Sequence, residues 1–276
     1  MTNVRKVLLV YLSLFLVIGY YKVEESRGGN TVKDIKNISP KQWEKLAKQK
    51  IYFGHQSVGY NIIDGIRAVM DKYPEIQLNI SETRDLATIN VGVLSHSKVG
   101  KNEDPMSKTT DFVKIMESGV GDKADIAFHK YCYIDVNANT DVDKVFSNYK
   151  NRMNYLKIKY PGTRFVHITM PLTTIQTGPK AWIKKILGKP IGGVDANIKR
   201  NMFNQLLLDT YKLTDPVFDF AIAEATQPDG TIITFAKGEK KYFALYKGYS
   251  DDGGHLNRQG QKRIAEQLLI FLVEVK

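Results

Sequence analysis

The chain has 276 residues, 43% hydrophobic and 25% charged, the balance of an ordinary globular protein, which excludes a disordered or fibrous polymer. Its formal net charge of +11 suits an anionic partner such as an acidic polysaccharide, teichoic acid or lipid headgroups. The lysines are dispersed, however, with no recognition-helix or zinc-ligand pattern, so nucleic acid is not expected as a partner.

Arg5 and Lys6 precede an uncharged, mostly apolar run from Val7 to Tyr21. A basic start followed by such a run reads as a signal peptide or a signal anchor over residues 1–21. The run is slightly short for a spanning helix, and the residues after it are charged from Lys22 to Arg27, with no clear Ala-x-Ala site. Either reading exports the rest of the chain, and an uncleaved segment would tether it to a membrane. Residues 22–38 are polar, contain Gly28-Gly29-Asn30 and read as a tether. Residues 39–276 read as a single domain, since no linker, repeat or low-complexity tract interrupts them.

Ser39-Pro40 is a capped helix start, and the helix should run to about Gln49. Lys50 to Phe53 reads as the first strand. Ile62, Ile63, Ile66, Val69 and Met70 then recur at helical spacing until Pro74. A second strand is expected at 76–80, a helix near 109–117 and a strand over 125–131. The helix after Thr140 carries Val142, Val145, Phe146, Tyr149, Met153 and Leu156. A strand over 164–170, a helix over 196–211 and a strand over 217–221 follow. This alternation predicts a parallel sheet covered by helices on both faces, with a ligand site at the carboxyl ends of its strands. Two insertions break the rhythm. Residues 171–193 contain Pro179, Trp182, Pro190 and several lysines and suit a lid, a substrate-facing wall or a surface loop. Residues 231–246 alternate around Lys237-Gly238-Glu239 and suit a β-hairpin.

Cys132 is the only cysteine, so no intrachain disulfide forms, and its apolar surroundings read as those of a buried thiol. His129 and His167 lie inside expected strands and His96 on a polar loop. No histidine pair has the helical spacing of a zinc site, so neither a metal nor a cofactor is expected.

The chemistry is concentrated at two ends. Near the C-terminus, Ser250-Asp251-Asp252-Gly253-Gly254-His255-Leu256-Asn257 precedes a final amphipathic helix. An Asp three residues before a His, with two glycines between, allows the backbone to fold back so that the carboxylate orients the imidazole. Asp251 is at the wrong distance but could substitute. Far upstream, Gly54-His55-Gln56-Ser57-Val58-Gly59 joins a strand to a helix, the place where a hydroxyl meets a helix N-terminus and its N–H groups.

Together these blocks resemble the SGNH (GDSL-type) hydrolase superfamily over most of the chain after residue 40. The resemblance implies a flavodoxin-like three-layer α/β/α sandwich around a parallel sheet, with Ser57 as nucleophile, His255 as base and Asp252 as orienting acid. It also implies oxyanion donors in two further blocks. Gly100 is the glycine of the second block, with Gly92 as an alternative. The third block is altered: Cys132-Tyr133-Ile134-Asp135 stands where the family has Gly-x-Asn-Asp, so Ile134 takes the place of the Asn donor. Asn102 could supply the missing amide, with Lys130 or Tyr133 as other donors, and Asp135 falls at the same sheet edge. His55, two residues before Ser57, either shapes the turn or contacts substrate. The expected function is that of an exported serine esterase acting on an acylated carbohydrate, with an O-acetyl group of an envelope or extracellular polysaccharide as the expected ester. The alternatives are a polysaccharide O-acetyltransferase, or a non-catalytic carbohydrate-binding or scaffold protein on the same fold.

Overall fold

The structure, a computed structural model, describes residues 34–86 and 92–275. The expected signal segment and residues 22–33 of the expected tether lie outside them. Among the described residues no helix is long and apolar enough to cross a membrane. Within the described residues that precede Ser39, Ile35 is buried in the core and Ile38 packs against it.

In chain order the elements are α1 (Pro40–Ala47), β1 (Lys50–His55), α2 (Val58–Lys72), β2 (Ile80–Glu82), β3 (Val93–Lys98), α3 (Pro105–Ile115), β4 (Ile126–His129), α4 (Val142–Lys159), β5 (Arg164–Phe165) and β6 (His167–Ile168). They continue as α5 (Pro179–Ile186), α6 (Val194–Tyr211), β7 (Val217–Phe218), α7 (Phe220–Ala225), β8 (Thr234–Lys237), β9 (Lys240–Phe243) and α8 (Arg258–Glu274). Local chemistry sets several boundaries. At α1 the Ser39 N–H donates to Gln42 Oε1 at 3.0 Å, half of a capping box, and Pro40 fixes the first turn. Asp104 and Asp141 cap α3 and α4, each accepting a first-turn N–H at 3.0 Å.

Five strands pair in parallel in the order β2-β3-β1-β4-β5. β6 continues β5 past Val166, whose N–H reaches Ala127 O at 3.0 Å, and pairs in parallel with β7. Setting aside the short edge strand β2, the order is the doubly wound 2-1-3-4-5 of a flavodoxin-like sheet. Alternate residues face opposite layers. Ile51, Phe53, Phe128, Val166 and Ile168 pack with α1, α2, α7 and α8 on one face. Tyr52, Ala127 and Phe165 pack with α3, α4 and α6 on the other. Burying each large aliphatic or aromatic side chain in these layers contributes on the order of 2 kcal/mol, so the two cores hold the expected three layers together.

The insertion at 231–246 forms the expected antiparallel hairpin, with Lys237 opposite Lys240. Three local readings differ from expectation. The strand expected at 76–80 begins only at Ile80; Ile76 and Leu78 are buried in an irregular approach to it. The strand expected over 217–221 stops at Phe218, because Asp219 accepts the Ile222 N–H and starts α7. His96 is not on a loop: it lies in β3, beside β1, with Ser95 and Ser97 buried around it.

Candidate active site

β1 is flanked by β3 on one side and β4 on the other, so the chain reverses direction across the sheet at the carboxyl end of β1. The turn into α2 occupies this crevice. At Gly54 an added Cβ would come within 2.8 Å of Val99 Cγ1 and 3.2 Å of His129 Cβ, so only glycine fits. Gln56 Nε2 donates to Val99 O at 3.1 Å and to Gly100 O at 2.8 Å, fastening the turn to the end of β3. Ser57 is the N-cap residue of the 15-residue α2, yet its side chain makes no capping bond. Its Oγ instead stands 3.2 Å from His255 Nε2. The first N–H groups of a helix have no intrahelical acceptor, so those of Ser57 and Val58 mark a positive pole beside this hydroxyl.

The loop before α8 supplies the histidine. Gly253, at φ +87°, lets the chain fold back. Asp252 Oδ1 then accepts the N–H groups of Gly254 and His255, each at 2.8 Å, while Oδ2 meets His255 Nδ1 at 2.7 Å. Ser250 Oγ donates to the same carboxylate at 3.2 Å. Partial burial works to raise the Asp252 pKa, but the Gly254 N–H, the His255 ring and the His255 N–H outweigh it and hold the carboxyl well below the usual carboxylate range. With Nδ1–H given to Asp252, Nε2 is left as the acceptor for a proton from Ser57. Asp251, the alternative acid, instead accepts from Asn257 Nδ2 at 3.1 Å. Asp252 and His255 are 56% and 43% exposed, so the pair lies at the surface.

Tyr133 flanks the pair. Its hydroxyl lies 3.2 Å from His255 Nδ1 and its ring meets the imidazole edge-on at 5.5 Å. The same ring leaves no room for a Cβ at Gly254, which would approach Tyr133 Cζ to 2.5 Å. Behind it, the Arg200 Nε donates to Tyr133 O at 2.7 Å and its guanidinium lies 5.9 Å from the ring centroid.

The other sequence-selected residues are placed differently. His55 is fully buried, and its Nε2 is 3.0 Å from His96 Nδ1. Burial, with Lys130 and His96 nearby, pushes its pKa down to about 3, so it is a neutral core ring that shapes the turn. The N–H of Gly100 is taken by Asp111 Oδ2 at 2.9 Å. Gly92 precedes β3 at the opposite end of the sheet, against Ala47 and Lys48. Asp135 is buried in an ion pair with Lys108, 2.6 Å away, and also accepts the Cys132 N–H at 2.6 Å and the Glu103 N–H at 3.0 Å. It therefore ties the β3–α3 and β4–α4 loops together and faces protein, not solvent. Lys130 is buried, its Nζ donating to Tyr131 O at 3.1 Å beside Cys132 Sγ at 3.5 Å, and burial lowers its pKa. Asn102 is exposed; its Oδ1 accepts from Lys108 Nζ at 3.0 Å, and its Nδ2 has no hydrogen bond among the described residues.

Lys108, Arg200, Gln56 and His96 shape the site but were not singled out from sequence. Only Gln56 had a local signal, its place inside the strand-to-helix turn. Among the described residues no group of three His, Cys, Asp or Glu side chains could hold a metal ion.

No family model matches the sequence, and a search of curated proteins finds no match. Solved structures with a similar fold include a protein provisionally described as a platelet activating factor from Streptococcus pneumonia, 14% identical, with 84% of this chain and 90% of that chain covered and a TM-score of 0.48. A carbohydrate esterase family 3 from Talaromyces cellulolyticus is 14% identical over 82% of this chain and 97% of its own, at a TM-score of 0.45. The periplasmic domain of a lipopolysaccharide acetyltransferase from Salmonella ser. Paratyphi A is 8% identical over 83% of this chain and 85% of its own, at a TM-score of 0.42.

Proposed function

We propose that this chain is an exported serine esterase that removes ester-linked acyl groups, O-acetyl above all, from an envelope or extracellular polysaccharide. The observation that carries the reading is the hydrogen-bonded line from Ser57 Oγ through the His255 ring to Asp252, at 3.2 Å and 2.7 Å, at the carboxyl end of β1. His255 Nε2 takes the Ser57 proton as Oγ attacks the ester carbonyl, and Asp252 stabilises the imidazolium. The N–H of Ser57 meets the developing oxyanion, assisted by the Asn102 amide, whose oxygen is held by Lys108. As the intermediate collapses the imidazolium protonates the departing sugar oxygen, which leaves as the free hydroxyl with the acyl group on Ser57; water, deprotonated by the same ring, then attacks the acyl carbon, and the ring returns that proton to Ser57 Oγ as the acid leaves.

A half-exposed His–Asp pair suits an ester displayed on a bulky polymer better than a small molecule that must be enclosed. The net charge of +11 suits an anionic envelope, and the apolar run at 7–21 supports export.

Hydrolysis of para-nitrophenyl acetate and of an acetylated oligosaccharide by the protein, beside its Ser57→Ala variant, tests this reading. Turnover on either substrate that the variant lacks supports it. Turnover equal in the two proteins removes Ser57 from the chemistry. Turnover that appears only when an unacetylated sugar acceptor is added makes the protein an acetyltransferase.

A further inference from the structure

The insertion between β6 and α6 holds a helix whose amphipathicity is inside out. In α5 the buried side chain is Ala181, while Trp182, Ile183, Ile186 and the adjoining Leu187 are each between 50% and 63% exposed. Spaced i, i+1, i+4, i+5, they share one helical face. Among the described residues, four of the nine large hydrophobic side chains left exposed fall within these six positions. Scattered exposed apolar residues are normal, but a contiguous patch of this kind marks a contact surface.

Its surroundings are cationic. Residues 171–193 contain Lys180, Lys184, Lys185 and Lys189 and no acidic residue. Among the described residues none of these lysines is ion-paired; Lys184 Nζ donates to the neutral Gln176 Oε1 at 2.8 Å. The insertion is also rooted at the site. Gln176 N–H reaches Gly192 O at 2.9 Å, closing a narrow neck, and Thr174 N–H reaches Gly253 O at 2.9 Å, inside the Asp252–His255 loop.

We infer that α5 docks the protein on an anionic lipid bilayer, Trp182, Ile183, Ile186 and Leu187 entering the headgroup boundary and the four lysines pairing with lipid phosphates. Apolar and aromatic side chains bordered by lysines are what such an interface selects. An acidic polysaccharide would engage the lysines but leave the aliphatic face in water. A symmetric second copy would cover that face, but would bring its own four lysines against these. Docking would hold the Asp252–His255 loop at the membrane surface, where ester groups displayed on lipid-linked or wall-proximal polymers would reach Ser57. The inference stands on α5 and its lysines and does not rest on the esterase reading.

The chain reports on itself, because it has two tryptophans and Trp43 is buried in α1, so the Trp182 signal follows by subtraction of a Trp182→Phe variant. The probe is a vesicle of phosphatidylglycerol carrying nitroxide-labelled acyl chains, mixed with the full chain, with phosphatidylcholine vesicles as comparison. Trp182 emission should shift to the blue and be quenched on phosphatidylglycerol, and much less on phosphatidylcholine. Reversing all four lysines to Glu should weaken docking at least about tenfold, with circular dichroism unchanged, and salt of about 1 M, where screening acts within roughly 3 Å, should do the same. Reading Trp182 separates α5 from anything the apolar run at 7–21 does with the vesicle. An unmoved Trp182 on phosphatidylglycerol overturns the inference. So does an equal response on both lipids, an equal blue shift with an acidic polysaccharide, or a lipid-free shift that grows with protein concentration.

Discussion

His255 Nδ1 has two neighbours, Asp252 Oδ2 at 2.7 Å and the Tyr133 hydroxyl at 3.2 Å, and only the nearer can take its single proton. The carboxylate, ionised at any ordinary pH, is the stronger acceptor. Asp252→Asn should therefore lower kcat by about three to four orders of magnitude, and Tyr133→Phe by less than about tenfold, in steady-state kinetics on para-nitrophenyl acetate. Equal losses would make Tyr133 the orienting partner. The pairing of Asp252 with His255 was readable in the sequence because four consecutive residues contain its whole geometry. The fates of His55 and Asp135 were not, since their partners, His96 and Lys108, are 41 and 27 residues away. The oxyanion assistance proposed for Asn102 is also a single-residue matter. Asn102→Ala should reduce kcat by about a hundredfold with KM nearly unchanged; unaltered kcat would leave the backbone N–H groups as the only donors.

At the scale of elements, two devices brace the loops around Ser57 and Tyr133. The first turn of α2 lies on the His55 ring so closely that a Cβ at Gly59 would be 2.1 Å from His55 Cγ. Gly59→Ala should cost about 1–3 kcal/mol and reduce turnover by displacing Ser57, both readable from thermal melts beside kinetics. The second device is the Lys108–Asp135 pair, in which neither side chain touches solvent. Asp135→Asn leaves a buried ammonium without its counter-charge and should cost about 3–5 kcal/mol in urea titrations. Replacing both partners, Lys108→Met with Asp135→Leu, should cost less than the single change; a double variant as unstable as the single one would move the cost to the lost N–H acceptors. The helices other than α5 and α7, the hairpin and most strands were legible from apolar period and capping residues. β3 was not, because Val93–Lys98 buries Ser and His, which read as loop residues until a neighbouring strand satisfies them.

For the molecule as a whole, three buried rings set the acid limit. Burial pushes His55, His129 and His167 each down to about 3, below the ordinary value of about 6.5 in an unfolded chain. Between those limits the unfolded chain binds more protons, so stability rises with pH from about 3 and levels off above about 6.5. Each ring contributes a slope of up to about 1.4 kcal/mol per pH unit. The urea midpoint should fall steadily as pH drops below about 6.5. A level midpoint down to about pH 4.5 would mean that these rings carry a proton in the folded protein.

Cys132 offers a different kind of handle. It is the only thiol in the chain and is fully buried at the start of the loop that carries Tyr133. A maleimide can reach it only after that loop opens, so the alkylation rate becomes a clock for local breathing beside Ser57. An acetylated oligosaccharide that slows this clock more than it raises the global melting temperature would locate the protein's most yielding part at the Ser57–His255 pair.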